Sequence, residues 1–148
     1  IAKSLVNEVL QRELWSLPSS ATEDSLGRLP LFPGMKVMIQ ENIALSRNVV
    51  NGAEGILTDI KYRVDDRGRR YAIVVYVRIP GAGKISETLD DDIVPIFPEP
   101  VSFKYGVPED GVVKMRTVSR LQLPILPAYA YTDYKSQGRS LDRAIVDL

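Results

Sequence analysis

YAIVVYVRI, residues 71–79, alternates along its whole length. Tyr71, Ile73, Val75, Val77 and Ile79 fall on one face, and Ala72, Val74, Tyr76 and Arg78 on the other. A two-residue period rich in β-branched and aromatic side chains predicts a half-buried strand, with the first set turned inward. The flanks agree. Residues 56–62 upstream read as a partner strand, and Asp65, Asp66 and Gly68 between the two suit a hairpin loop. Pro80-Gly81 ends the strand.

The same grammar continues outward from this hairpin. Asn51-Gly52 is a tight-turn dipeptide, and Pro33-Gly34 announces a strand over 35–40. A short strand over 93–97 is closed by Pro98, and another covers 112–118. Five or six short strands with frequent turns predict a small, strongly bent barrel, SH3-like or OB-like, over residues 29–124. The ends differ. Ala2, Leu5, Val6, Val9, Leu10 and Leu14 recur at helical spacing, which predicts a helix over 2–16 stopped by Pro18, with a polar loop to residue 28. After Pro124 and Pro127, residues 128–131 read as a buried strand, 133–138 as a loop or first helical turn, and 144–148 as another strand. Residues 1–28 and 125–148 together read as parts of an α/β domain. The expected fold is therefore mixed, a small SH3-like β-barrel inserted into a partial α/β domain.

Composition narrows the chemistry. The 45% hydrophobic and 26% charged residues suit a globular chain and exclude wholesale disorder. With no cysteine there is no disulfide framework or thiolate zinc site, and with no histidine there is no imidazole acid–base catalysis. No apolar run approaches the roughly 18–20 residues of a membrane span, and the first residues lack a secretory signal, so an intracellular compartment is expected. Nineteen Lys and Arg balance nineteen Asp and Glu, whereas a free-standing nucleic-acid binder carries a basic excess. Contact with nucleic acid would run through a few positioned groups or through a larger assembly. The chain starts at Ile1 and stops at Leu148 inside an apolar run, which reads as a piece of a longer protein.

Four stretches invite a chemical reading. PGAGKIS, residues 80–86, resembles a phosphate loop, but the first glycine of that motif would fall at Arg78 and its hydroxyl at Ile85, so a plain hairpin turn is expected. Asp90, Asp91 and Asp92 are consecutive, alternate side chains diverge on an extended segment, and a solvated acidic turn fits better than a metal site. Lys61, Arg63, Arg67, Arg69 and Arg70 gather at the hairpin tip beside Tyr62 and Tyr71, diluted by Asp59, Asp65 and Asp66. This is either a solvated hairpin or a backbone contact to nucleic acid with a tyrosine stacked on a base. Finally, AYAYTDYKSQGRSLDRAIVDL, residues 128–148, sets Thr132, Lys135, Ser136, Gln137 and Gly138 between two apolar segments. Hydroxyls, an ammonium, an amide and open N–H groups at a helix start favour anions, though an ordinary capped helix start uses the same residues.

SRLQLPILPAYAYTDYKSQGRSLDRAIVDL, residues 119–148, resembles the motif V region of Pif-type and RecD-like superfamily-one DNA helicases. That signature runs R-x-Q-x-P-L, then small residues, then Ser/Thr-x-His-Lys-Ser-Gln-Gly-x-Ser/Thr-Leu. LFPGMKVMIQEN, residues 31–42, and VVNGAEGILTDI, residues 49–60, resemble the family's P-G-x-x-V-M and N-G-x-x-G segments, which enter an SH3-like barrel inserted in the second motor domain. The wording of 128–148 is similar to helicase-like proteins abundant in fungal genomes and related to helitron helicases. The resemblance implies that the α/β part is a RecA-like, P-loop NTPase motor domain. It implies DNA-binding roles for Thr132, Tyr134, Lys135 and Ser136, and nucleotide-binding roles for Gln137 and Gly138. Arg120 and Gln122 would pin the return from barrel to motor domain. The family's usual histidine is Tyr134 here, so the ring keeps its shape and loses its protonation chemistry.

By that resemblance the whole enzyme couples ATP hydrolysis, with Mg2+, to translocation on single-stranded DNA and duplex unwinding. Its location would be nuclear or mitochondrial, with no membrane partner. The chain itself has no Walker A loop, no Walker B carboxylate pair and no downstream arginine motif. Phosphoryl transfer needs a phosphate cradle, a magnesium site and a charge-stabilising arginine. No catalytic residue is therefore expected in this fragment, it should bind no nucleotide cofactor alone, and the remaining motor domain of the same polypeptide is its expected partner. The alternative is a stand-alone small-barrel module that binds nucleic acid or a peptide without catalysis.

Overall fold

The computed structural model describes residues 8–18, 21–22, 27–109 and 111–129. Helix α1 spans Glu8–Trp15. The strands are β1 Lys36–Ile39, β2 Glu54–Val64, β3 Arg70–Arg78, β4 Ile93–Ile96, β5 Glu99–Glu109, β6 Val112–Gln122 and β7 Ile125–Pro127. Five of them form one antiparallel sheet in the order β4-β3-β2-β1-β7, and β5 and β6 pair only with each other. The expected closed barrel is thus corrected. Among the described residues the sheet is open, with β4 and β7 as its edges, because β5 and β6 leave it to form their own ladder.

Turn chemistry sets the meander. Ala53 N–H donates to Val50 O, and Gly52 has φ 88°, the left-handed value that the third residue of a type II turn requires. Gly55 is needed for a different reason: a Cβ there would lie 2.6 Å from Arg78 O and from Val77 Cγ1, so only a glycine lets β2 lie this close to β3. At the β2–β3 loop Gly68 again takes positive φ, and Asp65 accepts from the Arg67 and Arg69 amides at 3.0 and 2.9 Å.

The inward face of β3 departs from strict alternation. Val75, Val77 and Ile79 are buried as expected, but Ile73 is 51% exposed. The register explains why. Lys61 pairs with Val74 and Tyr62 with Ala72, so Ile73 is an extra residue with no partner, a β-bulge that reverses the facing of everything before it. Ala72, assigned outward from the pattern, packs against the core instead. On β2 the extra residue is Thr58, between Leu57 and Asp59, and its hydroxyl donates to Tyr76 O at 3.0 Å.

Core residues come from β1 (Val37, Ile39), β2 (Leu57), β3 (Val75, Val77), β4 (Val94, Ile96) and β7 (Ile125), closed by Met35, Val49, Ile79 and Leu123. Strand β7 lies three residues before the expected start of a strand at residue 128, and it pairs antiparallel with β1 through Val37 and Pro127. Strand β5 was not legible in the pattern because Pro100, Gly106 and Pro108 punctuate it. In a two-stranded ladder each strand keeps a free edge, where a missing proline N–H does no harm. Helix α1 packs against the ladder. Tyr105 Oη donates to Glu13 Oε1, the Arg120 guanidinium donates to Leu14 O at 3.4 Å, and that guanidinium lies 5.1 Å over the buried Phe103 ring.

Candidate nucleic-acid interface

The six residues assigned from the motif V resemblance, Thr132, Tyr134, Lys135, Ser136, Gln137 and Gly138, lie outside the described residues. What is described is the approach to them. Gln40 N–H donates to Pro124 O, Ala128 N–H to Lys36 O, and Lys36 N–H to Tyr129 Oη, which tie both ends of β7 to β1. Arg120 Nε donates to Gln122 Oε1 at 3.0 Å, so these two side chains sit together where the ladder ends, beside α1. Gln122 Nε2 is buried with no hydrogen-bond partner among the described residues. It lines an open cleft with Gln40, Glu41 and Glu99, where burial, and then the Glu99 carboxylate, push the Glu41 carboxyl up.

The phosphate-loop look-alike is a hairpin turn. Gly81 and Gly83 both take positive φ, Ala82 between them is buried, and Gly83 N–H donates to Asp92 Oδ1 at 2.7 Å. The amide that a phosphate loop would offer is already held by a carboxylate. Among the described residues no group of three or more Asp, Glu, His or Cys converges to hold a metal.

The β2–β3 hairpin carries the strongest site geometry. Directly paired residues share a face, so Asp59 with Tyr76, Lys61 with Val74, and Arg63 with Tyr71 all project from the side turned away from the main core, where Val74 is itself buried. Lys61 Nζ lies 5.6 Å from the Tyr76 ring centroid, and the Arg63 guanidinium 5.6 Å from that of Tyr71. The row then turns the corner of the hairpin. The Arg69 guanidinium lies 5.8 Å from the Tyr71 ring centroid and 5.3 Å from that of Trp15, and the Arg28 guanidinium lies 6.0 Å from the Trp15 centroid. On the opposite face Arg70 stacks over Tyr62 at 5.0 Å. These separations are within cation–π range.

Asp65 organises the tip. Desolvation pushes its carboxyl up, but the amide and guanidinium of Arg69, the amide of Arg67 and the Tyr71 hydroxyl together hold it down at about 2. Arg69 Nε donates to Asp65 Oδ2 at 2.7 Å, and the Tyr71 hydroxyl donates to the same oxygen at 3.2 Å. Helix α1 meets the tip as well, with Glu8 paired to Arg67 and Gln11 Oε1 accepting from Arg69 at 3.2 Å. Cations alternating with aromatic rings can neutralise phosphates and stack bases at once. The sequence located the cations, Tyr62 and Tyr71. Tyr76 was legible as an outward residue of β3, whereas the parts played by Glu8, Gln11 and Trp15 had no sequence signal, since they arrive from more than 45 residues away.

No family model matches the chain. The ATP-dependent DNA helicase PIF1 of Rattus norvegicus is 31% identical over 120 residues, 81% of this chain and 15% of that protein. The enzyme of the same name from Mus musculus shows the same identity and coverage. The chain therefore spans about 15% of the length of these curated relatives. A Pif1 helicase from Bacteroides, solved with ADP-AlF3 and ssDNA, superposes with a TM-score of 0.53 at 24% identity, covering 86% of this chain and 25% of that one. That likeness supports the shared fold of the segment: mostly β-sheet with one short helix.

Proposed function

Because the chain is related to one segment of the Pif1 helicases, we propose that it is the barrel-like insertion and adjoining motif V of the second motor domain of an ATP-dependent DNA helicase. The whole enzyme would use ATP and Mg2+ to translocate on single-stranded DNA and separate strands. This segment supplies DNA contacts and one edge of the nucleotide site rather than the chemistry. Thr132, Tyr134, Lys135 and Ser136 contact the single-strand backbone, and Gln137 and Gly138 lie beside the terminal phosphates. The rest of the motor is the partner it packs against, in the nucleus or mitochondrion.

One observation in the fold carries the DNA half of this reading. The outer face of β2–β3 presents Lys61 and Arg63 interleaved with Tyr71 and Tyr76, on a chain whose overall charge is balanced. A small positive balance on one face, Lys61 and Arg63 against Asp59, without a basic excess overall, fits a segment that contributes a few phosphate contacts to a larger binding track. The same face would equally serve a stand-alone binding module, the second reading.

Lys135 tests the proposal. In the full-length enzyme Lys135→Ala should weaken single-strand binding by about 1–3 kcal/mol, the range for a charge-assisted hydrogen bond. It should also lower the salt slope of log affinity by about 0.7, the loss of one phosphate contact on a single strand. Titrating labelled oligonucleotide at three salt concentrations reads both quantities. An unchanged slope would remove Lys135 from the site.

A further inference from the structure

Two of the five hairpin cations are engaged by helix α1. Arg67 pairs with Glu8, and both side chains are about half exposed, at 55% and 47%. Arg69 is held from three directions: Asp65 takes Nε, Gln11 takes one terminal nitrogen, and the Trp15 and Tyr71 rings lie against its guanidinium. A guanidinium has five N–H donors, and among the described residues only two nitrogens of the Arg69 guanidinium donate, one to a carboxylate and one to a neutral amide. Asp65 fixes the plane of the group. The acceptor that α1 supplies, the Gln11 amide oxygen, is the weaker of the two.

We propose that Arg67 and Arg69 form a covered phosphate site, occupied here by Glu8, Gln11 and Trp15 of helix α1, from which a phosphate of single-stranded nucleic acid displaces the helix. The idea deepens the reading of β2–β3 as a nucleic-acid face and rests on it. The chemistry favours exchange. A phosphate offers Arg69 a charged acceptor in place of the Gln11 amide oxygen, and it offers Arg67 a doubly shared anion in place of one exposed carboxylate. An exposed ion pair is weak, equivalent to a factor of roughly two to five in an equilibrium constant, so the cover is easily lifted. From Lys61 to Arg70 the hairpin carries five cations against two carboxylates. Glu8 therefore meets a positive surface with spare charge, and a polyanion competes with it on favourable terms.

The chain carries its own reporter. Trp15 is the single tryptophan, and it sits in the cover. Fluorescein-labelled fifteen-residue oligothymidylate is titrated into the chain by anisotropy, and unlabelled oligonucleotide into the chain by Trp15 emission. Trp15 emission should change in step with binding. Glu8→Gln, which weakens the cover, should raise affinity roughly two- to fivefold, and Gln11→Glu, which adds a carboxylate facing Arg69, should lower it by a similar factor. Should Glu8→Gln fray α1, Gln11→Glu still carries the test with the opposite sign. If both variants bind like wild type while Lys61→Ala with Arg63→Ala weakens binding, the face is right and the cover is wrong. If Lys61→Ala with Arg63→Ala changes nothing, the binding face itself is wrong, and the cover falls with it.

Discussion

The five-stranded sheet and the β5–β6 ladder teach opposite lessons about what holds this chain together. The ladder has the longer continuous pairing, from Glu99 with Gln122 to Glu109 with Val112, without a bulge. The sheet is built partly from strands of four residues or fewer, and its longest pairing is interrupted twice. Yet the buried side chains belong to the sheet: Val37, Ile39, Leu57, Val75, Val77, Val94, Ile96 and Ile125 share one core. On the ladder Phe103 is buried, whereas Val112, Val113, Met115 and Leu121 face solvent. Backbone hydrogen bonds exchange protein partners for water at small net gain, while apolar burial supplies most of the driving force. The long ladder should therefore be the weaker body.

Four substitutions would break or sharpen that contrast. The largest effect is expected at Val75, fully buried in the sheet. Val75→Asp buries a carboxylate with no partner and should cost at least about 4 kcal/mol, enough to unfold a marginal domain. Ile73→Asp, two residues away, should cost under about 1 kcal/mol, because the bulge turns Ile73 to solvent. Chemical denaturation of the pair separates the two residues. Equal losses would mean that the bulge is absent and that strict alternation holds.

Phe103→Ala comes next, at about 3 kcal/mol for a buried phenylalanine. It should loosen the ladder and the contacts of α1 while amides of β1 to β4 keep their hydrogen-exchange protection. Uniform loss of protection across both bodies would show that sheet and ladder unfold as one unit.

The smallest effect is expected at Asp65, and it shows in the pH dependence. Its carboxyl is held at about 2, below the usual value of 3.8. A depressed carboxyl contributes stability that is present above its unfolded pKa and is lost as pH falls through its folded one. The hairpin should therefore lose protection between about pH 4 and pH 2. Asp65→Asn should flatten that acid limb by slightly lowering the neutral-pH melting temperature, since the contribution it removes is the one present above about pH 4. A wild-type acid limb that persists in the variant would assign it to another carboxylate.

The fold was legible where local chemistry sufficed. Asn51-Gly52, Gly68 and Pro80-Gly81 located the turns, since each answers to a backbone requirement of one or two residues. The β2–β3 strands followed from their alternation. Strand β5 escaped because Pro100, Gly106 and Pro108 are breakers in an interior strand and harmless in a free-edged ladder, and only pairing reveals which applies. Barrel closure escaped for a related reason: strand number and turn spacing are the same for an open sheet beside a separate ladder.

The sequence by itself determined the strand-rich class, the turns, the relationship to a helicase segment and the identity of the hairpin cations, because each depends on residues that are neighbours in the chain. Tertiary structure alone decided which way Ile73 faces, that β7 returns to pair with β1, and that Glu8, Gln11 and Trp15 cover Arg67 and Arg69. A bulge is set by the register of two strands and a cover by the meeting of distant segments. Neither leaves a periodicity in the chain, since the free energy that selects them comes from packing between residues far apart in sequence.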